Sequence, residues 1–195
     1  FKEHLKTIEV FSKSERMRIW KKSNQVNGNI IDKSVKKISE NDIKKINLFD
    51  LTTYLPGQLL TKVDRTSMMH SLEIRCPFLD YKLAEYVYNL PLEYKTDKKS
   101  GKIILKDILT EIMPKDFVYR NKQGFGAPIK KWLRADKMKI FVMEKLNEKA
   151  LIYEFLKKQE VENLLKNFYD NKNDSECLRI WTLLCLELWF RSHTT

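Results

Sequence analysis

The chain has 195 residues, of which 43% are hydrophobic and 11% aromatic, and 37 basic against 26 acidic side chains give it a formal charge of +11. That length can bury a real core, and the composition excludes a disordered chain. The lysine excess is dispersed in pairs (Lys21-Lys22, Lys36-Lys37, Lys44-Lys45, Lys98-Lys99, Lys130-Lys131, Lys157-Lys158). This pattern argues for solvated helix faces and against a nucleic-acid footprint, and leaves room for a small polyanion.

Helical spacing dominates the chain, and no run of alternating β-branched residues predicts a sheet. Residues 24–38, rich in Asn, Lys and Ser, read as a flexible surface excursion. Ser39 can cap a helix, with Asp42 three residues on and Ile43, Ile46, Phe49 and Leu51 marking its apolar face. Tyr54-Leu55-Pro56-Gly57 is expected to end it. A second helix from about Gln58 to Ser71 turns Leu59, Val63 and Met69 inward and sends Lys62, Asp64 and Arg65 off other faces, and the Glu73 to Pro77 stretch breaks it. Asp80 can cap the next helix, which carries Leu83, Tyr86, Val87 and Leu90 and closes at Pro91. Residues 101–112 form another amphipathic helix, stopped by Pro114. Pro128 suits the first turn of a short helix with Trp132 and Leu133. Later helices cover about 137–146, 150–157, 159–169 and 175–192, with a polar linker from Asp170 to Asp174.

Cys76, Cys177 and Cys185 are odd in number and irregularly spaced, so neither a disulfide framework nor a metal or redox motif is indicated, and a reducing cytoplasm fits best. His4, His70 and His193 lie far apart and near no cysteine, so no metal site is expected. The apolar run from Ile180 to Phe190 contains Glu187 and falls short of the roughly 18–20 residues of a membrane span, which makes it a core helix. The chain opens on Phe1-Lys2-Glu3-His4, without a signal-like run. It is expected to be part of something longer.

Three segments are candidates for chemistry. The stretch from Arg120 to Pro128 joins Arg120 and Lys122 to Gly124 and Gly126, in a chain with five glycines. Taken alone it reads either as a surface turn or as a mobile loop able to neutralise a leaving phosphate. Ser100-Gly101-Lys102-Ile103-Ile104-Leu105-Lys106 at a helix start is either a solvated helix end or a second phosphate contact, and the Walker pattern is absent. Lys62-Val63-Asp64-Arg65 with Glu73-Ile74-Arg75 sets five charges in apolar surroundings, which suits mutual ion pairing. That pairing either braces a substrate pocket or is purely structural. A carboxylate-pair hydrolase built on Asp64 and Glu73 is formally open.

These segments occur in order with others: Tyr54-Leu55-Pro56, the Leu60 to Met68 stretch, Ser71-Leu72-Glu73-Ile74-Arg75-Cys76-Pro77-Phe78-Leu79-Asp80, Gly101 to Lys106, and the closing helix from Leu178 to Trp189. From about Asp50 to Arg191 the chain resembles the C-terminal part of the synthetase domain of glutamine-hydrolysing asparagine synthetases, which are related to β-lactam synthetase; residues 1–49 match weakly. The resemblance implies the helical C-terminal portion of an ATP-pyrophosphatase α/β synthetase domain, of the adenine nucleotide α-hydrolase-like kind, whose nucleotide-binding parallel sheet is absent from this chain.

It also implies ATP-dependent amidation of aspartate to asparagine. The side-chain carboxylate is activated as an acyl-adenylate with release of pyrophosphate, and ammonia from an upstream glutaminase domain then attacks. ATP with Mg is the implied cofactor. By motif position Lys122 matches the lysine with which relatives stabilise pyrophosphate release, Lys102 and Arg120 fall at the phosphates, and Asp64, Arg65, Glu73 and Arg75 frame the pocket. The SGGxDS loop, the later SGEGxDE-type segment and the glutaminase cysteine do not occur in the sequence, so the fragment alone is expected to be inactive. At Lys106 many relatives carry arginine. A related acyl-adenylating amide ligase that closes β-lactam or peptide rings stays open, as does a non-catalytic basic helical module that binds a macromolecule.

Overall fold

Ser12 shows how local chemistry starts a helix here: its hydroxyl accepts from the Glu15 amide at 3.3 Å, while the Glu15 carboxylate accepts from the Ser12 amide at 2.7 Å. This capping box satisfies two helix-end donors at once, and hydrogen bonding from Ser12 holds the Glu15 carboxyl below its usual range. The computed structural model describes residues 2–21, 42–97, 100–121, 124 and 126–193. The Ser39 cap and the 24–38 excursion lie outside them.

The described helices are α1 (Lys2–Ile8), α2 (Lys13–Ile19), α3 (Asp42–Phe49), α4 (Thr61–Met68), α5 (Tyr81–Asn89), α6 (Ile103–Thr110), α7 (Lys115–Val118), α8 (Ile129–Arg134), α9 (Asp136–Lys145), α10 (Lys158–Tyr169) and α11 (Cys177–His193). Among the described residues there is no strand, only isolated bridges between Trp20 and Leu156 and between Thr96 and Gly101. The mainly helical expectation holds. The chain divides into two compact units, one made of Phe1–Thr52 with Gly126–Thr195 and the other of Thr53–Phe125.

The first unit is built around α11. Val161, Leu164, Leu165 and Phe168 recur at three- and four-residue spacing on α10, and all four are buried. They meet Leu133 of α8, Val142 of α9, and Ile180, Leu183 and Leu184 of α11 in one apolar cluster. Each such side chain contributes about 1.5–3 kcal/mol by leaving water. Ile19 of α2 joins the same cluster, and the backbone follows it: the Lys157 amide donates to the Ile19 carbonyl at 2.8 Å and the Lys21 amide to the Phe155 carbonyl at 3.0 Å.

The interruption at Glu187 is a structural device. Its side chain is fully buried, one carboxylate oxygen accepts from the Ile152 amide at 3.0 Å, and the other accepts from Arg191 Nε at 2.6 Å. Arg191 also donates to the Lys145 carbonyl at 3.3 Å, so one charge pair joins α11, the end of α9 and the 3-10 turn Leu151–Glu154. Arg179 plays a similar part nearer the start of α11. It binds Glu176 and Glu15, both at 2.7 Å, and the Val10 carbonyl at 3.2 Å.

Three expectations are corrected. Tyr54 to Gly57 does not end a helix, because residues Asp50–Leu60 continue as a π-helix with Pro56 inside. Proline lacks the N–H and crowds the carbonyl of residue i−4, and the wider turn relieves both demands. The helix expected over 150–157 is a single 3-10 turn, since the chain then leaves to pair with residues 19–21. Just past α4, Met69 is 80% exposed and does not face inward.

Two outcomes follow for the first unit. Glu187→Ala is expected to lower the unfolding free energy by about 1–3 kcal/mol, because the Ile152 amide loses its acceptor while the partly exposed Arg191 can turn to water; Glu187→Gln, which keeps an acceptor for Ile152, should cost less in the same denaturant titration followed by tryptophan fluorescence. The Tyr153 hydroxyl donates to the Leu146 carbonyl at 2.8 Å, and burial pushes its pKa up to about 12. A folded pKa above the unfolded one gives stability that is complete below pH 10 and lost as pH rises toward 12. Stability measured across that window should fall less steeply in Tyr153→Phe than in the parent chain.

Candidate functional site

In the second unit, α4 presents a stripe at helical spacing: Leu60 just before it, then Val63, Asp64, Ser67 and Met68. The chain reverses after α4 and brings Glu73, Ile74, Cys76 and Leu79 opposite this stripe, enclosing a cleft of about 250 Å³. Most of the lining residues are apolar, and Asp64, Glu73, Ser67 and Cys76 complete the lining. Ser67 is buried, and its hydroxyl donates to the Asp64 carbonyl at 3.0 Å.

The reversal is a Schellman turn. The Leu72 amide donates to the Ser67 carbonyl at 3.0 Å and the Ser71 amide to the Met68 carbonyl at 3.0 Å, with Ser71 between them in the left-handed region at φ 55°. A serine there carries a Cβ penalty that glycine avoids, of about 1 kcal/mol. The chain beyond this turn carries Glu73, which lines the same cleft as Asp64.

Of the expected ion pairs, one forms: Arg75 Nε and Nη2 reach Glu73 Oε1 at 2.7 and 2.6 Å, at the surface. Asp64 and Glu73 both line the cleft, whereas Arg65 and Arg75 do not. Among the described residues Asp64 and Arg65 have no ion pair. Mutual pairing of the whole charge set is therefore corrected to a single Glu73–Arg75 pair. The two segments are joined by the α4 stripe and the Ser71 turn, because exposed charges gain little from pairing in water.

The second candidate cluster lies around α6 and α7, which pack together. Lys102 occupies the N-cap position of α6 in left-handed conformation (φ 61°, ψ 41°), exposed and without an ion pair among the described residues. Arg120 follows α7, with its guanidinium carbon 4.6 Å from the Phe117 ring centre. Between them, Lys106 donates to the Ser100 hydroxyl and sits 4.9 Å from the Tyr119 ring centre. Desolvation and the neighbouring Asp107 carboxylate push the Tyr119 phenol up. Lys122 lies outside the described residues.

Sequence reasoning missed Ser67, Ser71 and the apolar lining. The signal for Ser67 was present, since Leu60, Val63, Asp64, Ser67 and Met68 fall at successive three- and four-residue steps. Nothing in a serine announces a left-handed turn. As for cofactors, Lys102 and Arg120 are cations suited to phosphate oxygens. No group of three His, Cys, Asp or Glu that could hold a metal occurs among the described residues.

The sequence pattern of the asparagine synthase family matches residues 2–191, and the chain belongs to that family. Over 151 residues it is 32% identical to the glutamine-hydrolyzing asparagine synthetase 1 of Bacillus subtilis (strain 168), covering 77% of this chain and 23% of that relative. A putative glutamine-hydrolyzing asparagine synthetase of Mycobacterium tuberculosis (strain H37Rv) is 30% identical over 147 residues, 75% of this chain and 22% of the relative. The glutamine-hydrolyzing asparagine synthetase 3 of Bacillus subtilis (strain 168) is 46% identical over 67 residues, 34% of this chain and 11% of its own length. The chain thus spans about a quarter or less of the length of the relatives it matches. No solved structure matches. No described helix is long and apolar enough to cross a membrane.

The left-handed turn yields a test. Ser71→Gly is expected to raise the unfolding free energy by roughly 0.5–1 kcal/mol, because glycine adopts this conformation without a Cβ clash. Thermal unfolding by circular dichroism checks it, and a destabilised variant would contradict the left-handed assignment.

Proposed function

We propose that this chain is the C-terminal helical part of the synthetase domain of a longer protein that amidates aspartate to asparagine at the expense of ATP, with ammonia drawn from glutamine by an upstream glutaminase domain. The observation that carries this reading is the joining, in one compact unit, of a carboxylate-lined cleft with exposed cations free of carboxylate partners among the described residues. Membership of the asparagine synthase family, and the resemblance to glutamine-hydrolyzing asparagine synthetases, support the choice of substrates.

In this reading ATP supplies the α-phosphoryl group. An oxygen of the aspartate side-chain carboxylate attacks it, the bond to the β-phosphate oxygen breaks, and pyrophosphate leaves. Lys102 and Arg120 hold the polyphosphate, and Lys122 neutralises charge gathering on the departing group, as an ammonium does well in a water-poor site. Ammonia then attacks the acyl carbon of the adenylate, AMP departs with the bonding electron pair, and asparagine remains. Asp64, Glu73 and Ser67 line the adjoining cleft and orient the amino-acid substrate, Arg75 holds Glu73, and Arg65 frames the rim. Mg with ATP is the cofactor this reading implies, and it would supply charge neutralisation at the phosphates.

The three unpaired cysteines Cys76, Cys177 and Cys185 support a cytoplasmic setting. We assign the activity to the full-length protein and not to these 195 residues alone.

In the complete protein, Lys122→Ala is expected to abolish aspartate-dependent pyrophosphate release, a loss on the order of 10²–10³ in kcat as for removal of one electrostatic stabiliser, while glutamine hydrolysis continues. A coupled pyrophosphate assay with a parallel glutaminase assay separates the two. Unchanged pyrophosphate release would remove Lys122 from the mechanism.

A further inference from the structure

Lys106 ends the Ser100 to Lys106 segment and also reaches the residue that precedes Arg120. Its ammonium donates to the Ser100 hydroxyl, and the same ammonium lies 4.9 Å from the centre of the Tyr119 ring. Ser100 opens the Ser100-Gly101-Lys102 segment, and Tyr119 immediately precedes Arg120. One side chain of α6 therefore links the residues that present the two cations.

The local structure makes these links count. The Ser100 carbonyl accepts from the Asp97 amide at 2.9 Å and from the Thr96 hydroxyl at 3.0 Å, its amide donates to Asp97 Oδ1 at 2.5 Å, and the Ile103 amide donates to the Lys95 carbonyl at 3.2 Å. The base of this reversal is closed on itself, and Lys106 ties it to the helix that follows. On the other side, Tyr119 is held by its hydroxyl, which donates to Asp107 at 3.4 Å, and its ring also lies 6.0 Å from the Lys115 ammonium. An aromatic face between two cations is a favourable but directional contact.

Electrostatics separates this lysine from an ordinary brace. A lysine with a purely structural role usually finds a carboxylate, whereas Lys106 has no ion pair among the described residues: its partners are a hydroxyl and a π face. The half-buried ammonium therefore contacts one residue of each phosphate-facing segment without a carboxylate of its own among the described residues, an arrangement that suits a site for a polyanion.

We propose that Lys106 is a positioning residue, which holds the Ser100-Gly101-Lys102 turn and the Tyr119-Arg120 segment in fixed relation so that Lys102 and Arg120 meet the polyphosphate together. This rests on the pyrophosphate reading given above. An arginine can stack on the same ring and donate to the same hydroxyl, so it should substitute; an apolar side chain of equal length should not.

The test uses the complete protein with Lys106→Met, Lys106→Arg and Tyr119→Leu, the last leaving the ammonium in place and removing the ring. Lys106→Met is expected to raise KM for ATP and to weaken inhibition by added pyrophosphate, each about tenfold, the size of one lost charge-assisted contact, with kcat changed less than KM. Amide hydrogen exchange should accelerate both at residues 100–103 and at residues 119–121, and Tyr119→Leu should reproduce the second change. Lys106→Arg should restore parental values in every assay.

Exchange that accelerates in only one segment, or an arginine variant that fails to rescue, overturns the proposal. Exchange reports the coupling of the two segments without any turnover. If the parent protein releases no aspartate-dependent pyrophosphate, the functional reading falls while the exchange measurement still decides whether Lys106 joins them.

Discussion

A carboxylate taken fully out of water must have both oxygens answered, and in the first unit that demand organises everything around it. Glu187 sits with no exposed surface in the middle of α11, among residues that would otherwise form an unbroken apolar helix. One oxygen is met by the backbone of the Leu151–Glu154 turn, and the other by Arg191, which in turn holds the end of α9. The apolar cluster supplies most of the favourable free energy. The charge pair chooses which turn and which helix end lie against α11, because no other arrangement would satisfy it.

The second unit is organised differently. Among its described residues only Ser67 is buried, and large apolar side chains such as Met69, Phe78, Tyr86 and Ile112 are well exposed. Its shape comes from helix ends and turns: the Asp80 carboxylate caps α5 by accepting from the Lys82 and Leu83 amides, Ser71 reverses the chain after α4, and the Thr96–Gly101 bridge closes the approach to α6. These devices cost little volume and set the direction of the chain. The family match runs through both units, over residues 2–191.

Much of this was legible in the sequence. Helical periodicity located α5, α6, α10 and α11 to within a few residues, the Asp80 cap was visible as an aspartate ahead of an apolar stripe, and the ordered segments pointed to the asparagine synthase family. Local chemistry decides such features, and neighbouring residues suffice to read it. The π-helical passage through Pro56, the lone 3-10 turn at Leu151–Glu154 and the left-handed Ser71 were not legible, because each departs from the preference of its own residues.

Only the tertiary structure decided which charges work together. By itself the sequence determined the residue types of the candidate site, the helical class and the family. It could not say that Asp64 and Glu73 share a cleft while Arg65 stays outside, that Glu73 takes Arg75 as its sole ion-pair partner among the described residues, or that Lys106 spans Ser100 and Tyr119. Spacing along a chain fixes which face of a helix a residue occupies. The path of the chain between helices decides what that face meets, and here it is set by turns at Ser71 and Ser100 whose hydrogen bonds close only in the folded chain.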